Sequence, residues 1–247
     1  MPPCVRRFER TIPVHVLARE ADLTRTQREG LGKIETLTLL GVAQETTTRI
    51  PATPATDRRI DAVLFVRASL GNTRALESTA TVVHACFPHP SVLILENARG
   101  DVCLSAALTS RRKRATGFAV NAMEADSDIG SWRRTEQGKA FLSSLAFETL
   151  DQRSLAHLTQ DIMARIRLAR VARLVGFYPD PGLCRTPDVV AVIERLLECQ
   201  GRQDRLRAQW KAHGTTQRER LQLRIPLSEA IDQTKAAVDE LTRRCGR

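Results

Sequence analysis

Two acidic residues on apolar, strand-like runs are the first candidates for chemistry. Asp61 lies in IDAVLFV and Glu96 in SVLILEN. A metal-dependent nuclease core of the restriction type needs an acid on one strand and E-x-K on the next, so that carboxylates hold Mg²⁺ beside a lysine. The lysine position is Ala98, and a helical stretch separates the two runs. The pattern is incomplete, so a divergent metal-dependent nuclease is kept as an alternative reading. Its strand acids are equally explained as strand-end residues that face solvent or pair with an arginine.

Other motifs fall short. His84, Cys86 and His89 cluster in HACFPH. A zinc site needs about four ligands in closed geometry, and no second Cys/His pair has matching spacing, so the cluster reads as a helix terminus with an incidental histidine. A phosphate-binding loop needs G-x₄-G-K-[ST]. Gly30-Leu31-Gly32-Lys33 lies in a helical stretch, and Gly138-Lys139 is followed by Ala140. Neither qualifies, and no cofactor or metal is expected.

Basic residues carry the remaining signal. The net charge is +10 and the sequence pI is about 10.0, a balance that attracts polyanions, nucleic acid first. The positive residues are mostly arginine, so codon-driven usage is the competing explanation. The densest block is Arg111-Arg112-Lys113-Arg114, directly after the strand-like DVCLSAAL. It projects from a sheet edge in this reading, where it either neutralises phosphates or is a solvated loop. A second series, Arg165, Arg167, Arg170 and Arg173, is expected on the solvated face of a helix. Neither is interleaved with aromatics, which argues against base stacking.

The elements that must position these residues follow from periodicity. A helix is expected from Thr24, with Gln27 at capping-box spacing and Leu31, Ile34, Leu37 and Leu40 at helical intervals up to a stop at Gly41. Residues 1–23 look irregular or briefly helical. Val42–Ile50 and IDAVLFV read as strands joined by PATPAT. A helix over 72–87, the strand SVLILEN, the tight turn NARGD, its hairpin partner DVCLSAAL and a strand near Gly117–Glu124 complete a mixed sheet. From Thr135 the pattern is helical, with Leu155, Leu158, Ile162, Ile166 and Ala169 as one stripe. YPDPG breaks it. Thr186 and Pro187 then open a new helix, and residues 186–244 read as an antiparallel, partly coiled-coil-like helical hairpin that Pro226 should kink or interrupt.

The fold class is therefore α+β, a mixed β-sheet with flanking helices followed by a C-terminal antiparallel helical hairpin, with a body over 1–180 and a hairpin over 186–247. Leu206, Trp210, Leu221, Leu227 and Ile231 are the hairpin's candidate partner-binding residues. The cysteines Cys4, Cys86, Cys103, Cys184, Cys199 and Cys245 contain no CxxC. MPPCVRRFER lacks a signal-peptide core, and no run nears the roughly 18 apolar residues of a membrane span. Reduced thiols, a cytoplasmic location and no membrane partner are expected.

Four segments carry a resemblance that spans most of the chain: IPVHVL, RRIDAVLFV with its following helix, HPSVLILENARGDVCLSAALTSRRK, and RERLQLRIPLSEAIDQTKAAVDEL. In this order they resemble a prokaryotic family of unknown function. Its members are small proteins encoded beside helicases and DNA methyltransferases in restriction-like, antiphage islands. The family's last helix is continuous and Lys/Glu-rich, a pattern from which Pro226 departs. No catalytic residues come with the family. The resemblance implies a non-enzymatic accessory subunit of a DNA-targeting defence assembly, with DNA and a larger helicase or methyltransferase as partners. A stand-alone DNA-binding regulator is the further alternative, weakened by the lack of a clear helix-turn-helix.

Overall fold

The structure is a computed structural model that describes residues 5–20, 23–53, 59–73, 75–111, 118–212 and 216–245. The chain forms two compact units, Met1–Ala169 and Arg170–Arg247.

The first unit is built on six strands whose order in the sheet is their order in sequence. They are β1 (Arg6–Thr11), β2 (Ile34–Gln44), β3 (Ala62–Leu70), β4 (Ser91–Asn97), β5 (Val102–Arg111) and β6 (Phe118–Asp126). Neighbours are antiparallel except β3 and β4, which are parallel. A parallel pair needs a crossover, and α4 (Leu76–His84) supplies it. Helices α1 (Val14–Glu20) and α2 (Arg25–Leu31) join α4 in covering a core made by Leu37, Val66, Leu70, Val83, Leu93 and Leu95. Alternation along β3 and β4 turns these side chains to one face. On the other face Arg67 and Ile94 reach the surface. The expected α+β mixed sheet is thus observed.

Four local expectations need correction. Residues 1–23, expected to be irregular or briefly helical, do carry the short helix α1, but RRFERT is the edge strand β1, held by its pairing with β2. The helix capped by Thr24 does form its capping box, Thr24 N to Gln27 Oε1 at 2.9 Å and Gln27 N to Thr24 Oγ1 at 3.3 Å. It ends at Leu31, between Gly30 and Gly32, both poor helix formers. Ile34 and Leu37 then continue as strand, and a register shift between Ile34 and Thr36 lets both reach the core, which imitates helical spacing. Gly41 is a strand residue beside a second register shift, and residues 45–48 turn as the short helix α3 (Glu45–Thr48) rather than continuing a strand.

The turn at NARGD is as expected. Asn97 Oδ1 accepts from Arg99 N and Asp101 N, both at 2.9 Å, and Gly100 takes φ +80°. Helices α5 (Ile129–Trp132), α6 (Glu136–Ser144) and α7 (Leu155–Val175) follow. Thr135 caps α6 by accepting from Gly138 N at 3.1 Å. Gly138 is required there, since a Cβ would lie 2.3 Å from the Trp132 carbonyl oxygen. The stripe from Leu155 to Ala169 on α7 is buried.

The second unit pairs α8 (Pro187–Lys211) with α9 (Gln217–Cys245). The contacts Arg195–Glu240, Arg202–Gln233 and Arg244–Asp188 make the pair antiparallel. Their seam sets Val189, Val192, Ile193 and Leu196 of α8 with Ala230, Thr234, Ala237 and Leu241 of α9. Small residues on one helix let the axes approach. Pro226 lies inside α9 without interrupting it. It removes only the donor that would meet the Gln222 carbonyl, on an exposed stretch of the helix.

Candidate nucleic-acid interface

The pairings Gln44↔Ala62, Leu64↔Ser91 and Ser91↔Ala107 bring the finish of β2, the starts of β3 and β4 and the far part of β5 to one end of the sheet. Arg49 and Arg59 lie there with Glu45 and Asp61, and β5 finishes there at Arg111. Arg49 is exposed, in the left-handed region at φ 61°. Arg59 pairs with Glu45 at 3.1 Å. The opposite end holds Glu77, Glu96, Asp101, Asp126 and Asp128 together with Arg67, Arg99, Arg133 and Arg134. Acidity there is felt by Cys103, whose thiol is pushed up to about 12 by burial first and by Glu77 and Asp126 next.

At the first of these ends β5 outruns its inner neighbour. Its pairing with β4 stops at Ala107, because Pro90 precedes Ser91 and has no N–H to continue the ladder. β5 runs four residues further, paired with β6 alone through Thr109↔Val120, Ser110↔Ala119 and Arg111↔Phe118. At ~3.4 Å per residue this is a two-stranded ribbon of about 14 Å. A register shift at Leu108/Thr109 opens it, and such irregularities increase local twist. The Ser110 hydroxyl bonds Asn121 across the ribbon at 2.9 Å. Arg111 is the last residue of β5; Arg112, Lys113 and Arg114 lie outside the described residues.

The acids of the nuclease pattern do not meet. Asp61 precedes β3 while Glu96 lies beside Ser69 near the far ends of β3 and β4. Eight residues of parallel strand separate their levels, roughly 26 Å. Glu96 pairs with Arg67 at 3.0 Å and Asp61 with His89 at 3.3 Å.

His84 is not incidental. It is fully buried, with Nδ1 2.6 Å from Ser91 Oγ and Nε2 2.9 Å from Ser105 Oγ. Ser105 gives its proton to the Glu124 carbonyl at 3.0 Å. Nε2–H therefore donates to Ser105, and Nδ1 accepts from Ser91. Burial lowers the imidazole to about 3, so it is neutral. A serine donating to a histidine resembles an activated nucleophile, but both serines are fully buried and no substrate reaches them. Both ring nitrogens are occupied, which removes His84 from any zinc set.

The expected solvated series on α7 is also corrected. Arg165 is buried, and its guanidinium donates to Asp161 Oδ2 at 2.8 and 3.1 Å, to the Thr149 carbonyl at 2.6 Å and to the Ser144 carbonyl. Arg167 pairs with Glu124 at 2.6 Å. The signal available in sequence was Asp161 at i−4 from Arg165; the carbonyl acceptors had none.

On the hairpin, Leu221 is 61% exposed and Ile225, one turn further along α9, 69%. They flank a shallow groove with Arg224, Ser228, Glu229 and Asp232. Leu206, Trp210, Leu227 and Ile231 are half-buried.

Among the described residues no helix is long and apolar enough to cross a membrane. The fold defines an α+β protein of a mixed six-stranded sheet with a protruding two-stranded ribbon and a helical pair. Within that class, the chain belongs to the family described as Domain of unknown function (DUF4391), which it matches over residues 3–233. The expected membership of an uncharacterised family is met. No curated protein and no solved structure matches the chain.

Proposed function

We propose that this protein is a non-enzymatic, cytoplasmic accessory subunit of a prokaryotic DNA-targeting restriction or antiphage assembly, and that it grips DNA phosphates with the β5–β6 ribbon. The observation that carries the reading is the ribbon itself. It extends past the Pro90-terminated β4, and the sequence Arg111-Arg112-Lys113-Arg114 begins at its end. A major groove about 12 Å wide admits a two-stranded ribbon. Arg49 stands at the same end of the sheet, and the net charge of +10 favours association with a polyanion. The exposed Leu221 and Ile225 then serve a larger helicase or methyltransferase partner.

The test is duplex binding by fluorescence anisotropy over a salt series. Each phosphate neutralised contributes a log–log slope of about −0.9. Changing Arg111, Arg112, Lys113 and Arg114 together to Ala flattens the slope by up to about three or four units, equally for unrelated sequences. A variant that binds like the parent at every salt concentration removes the ribbon from the reading.

A further inference from the structure

Two thiols meet at the open end of the helical pair. Cys184 is buried in the 3-10 turn Leu183–Arg185 that leads into α8, and Cys245 is the half-buried last residue of α9. The two thiols lie close enough for each to act on the other's titration. The neighbourhood is independently fixed by Arg244, which reaches Asp188 on α8 at 3.9 Å and Glu240 at 3.0 Å. Cys184 is also held from behind. Asp180 Oδ1 accepts from Gly182 N at 2.6 Å and Leu183 N at 3.2 Å, and its carbonyl accepts from Cys184 N at 3.1 Å. The break YPDPG thus does more than end a helix: it seats one thiol against another 61 residues further along the chain.

We infer that Cys184 and Cys245 are a modification site, a dithiol that a small disulfide of the glutathione type converts to an intramolecular disulfide clasping the start of α8 to the end of α9. The more exposed Cys245 thiolate attacks one sulfur of the small disulfide. The small S–S bond breaks, a mixed disulfide forms, and one small thiolate leaves. The Cys184 thiolate then attacks the Cys245 sulfur and expels the second small thiolate. Two protein thiols are oxidised, one small disulfide is reduced to two thiols, and the two protons lost by the cysteines end on those thiols. Reduction by excess small thiol runs the sequence backwards.

The environment sets the pace. Burial pushes the Cys184 thiol up to about 12, and burial also raises Cys245. The thiolate is the attacking form, so the bond forms slowly at neutral pH. This is a clasp that answers sustained oxidation, not a fast sensor. Once closed, it ties the two helices where they would otherwise separate, since the loop it closes spans nearly the whole pair.

The experiment uses the full chain, incubated with oxidised glutathione at about pH 8.5 to raise the thiolate fraction. Non-reducing peptide mapping by mass spectrometry is expected to give one cross-linked species joining the peptides that contain Cys184 and Cys245, reversed by excess reduced glutathione. The thermal midpoint should rise on oxidation and return on reduction. Cys245→Ser is expected to remove both the cross-link and the shift. Persistently free thiols at 184 and 245 overturn the inference, as do separate glutathione adducts on the two residues or a bond from either one to a different cysteine.

Discussion

The first unit buries two polar clusters of opposite kind. One is neutral: His84 with Ser91 and Ser105, joining α4 to β4, β5 and, through the Glu124 carbonyl, β6. The other is charged: Arg165 with Asp161, pinning the segment between α6 and α7 through the carbonyls of Ser144 and Thr149. Burial treats them differently. The neutral ring needs two partners and has two. The guanidinium must be matched by a charge and by further acceptors, because desolvating an ion costs several kcal/mol. A strand hydroxyl therefore suffices within the sheet, whereas a buried arginine needs a loop folded around it.

Breaking the charged cluster is the larger effect. Arg165→Met removes the countercharge of Asp161, whose side chain is only 6% exposed, and leaves two loop carbonyls without this donor. The expected loss is about 3–5 kcal/mol in urea unfolding. Arg165→Met with Asp161→Leu should lose clearly less than the two single changes summed, and that coupling is the mark of a buried pair. Additive losses would instead make the cluster ordinary packing.

Breaking the neutral cluster costs less at neutral pH, and its signature lies in acid. The unfolded histidine binds a proton below about 6.5, whereas the folded one stays neutral down to about 3. In that window the unfolded state holds more protons, so stability falls as pH falls, by up to about 1.4 kcal/mol per pH unit. His84→Gln should cost about 1–3 kcal/mol at pH 7 by leaving the serines imperfectly paired. It should also flatten the acid limb of the stability–pH curve. An unchanged limb would falsify the assignment of the acid sensitivity to His84.

These clusters also mark how far the sequence could be read. The sheet centre is legible because IDAVLFV and SVLILEN are apolar runs too short for a helix and NARGD is a turn with a mechanism. The start of α8 is legible because Thr186 and Pro187 mark it. The edge strand β1 is not, since RRFERT has a single apolar residue, Phe8, and owes its form to β2. The basic block of the candidate interface is visible in composition. The ribbon beneath it needs the register, although Pro90, which bounds the start of β4, is visible in the sequence. Arg165 reads as solvent-facing because, beyond Asp161 at i−4, its acceptors are the Ser144 and Thr149 carbonyls, which no residue type announces. His84 groups with Cys86 and His89 in sequence, while its partners lie seven and twenty-one residues away.

The helical pair supplies the mildest contrast. Gln203 and Thr234 are buried in its seam. With its amide nitrogen towards Thr234, Gln203 donates to Oγ1 at 3.2 Å and accepts from Arg207 at 2.7 and 3.0 Å. The Thr234 hydroxyl donates to the Ala230 carbonyl at 2.8 Å. Nothing here is both charged and fully buried, so replacing both members by apolar side chains of similar shape strands no ion. Gln203→Leu with Thr234→Val should shift stability by less than about 1 kcal/mol in either direction. Polar residues in such seams specify register more than they stabilise. In a full-length variant carrying one cysteine pair engineered across α8 and α9 in the observed register, the double substitution should reduce the yield of the in-register cross-link while leaving the unfolding midpoint nearly in place. A drop of 3 kcal/mol or more, comparable to that expected for Arg165→Met, would put this layer in the class of the buried ion pair and erase the distinction between the clusters.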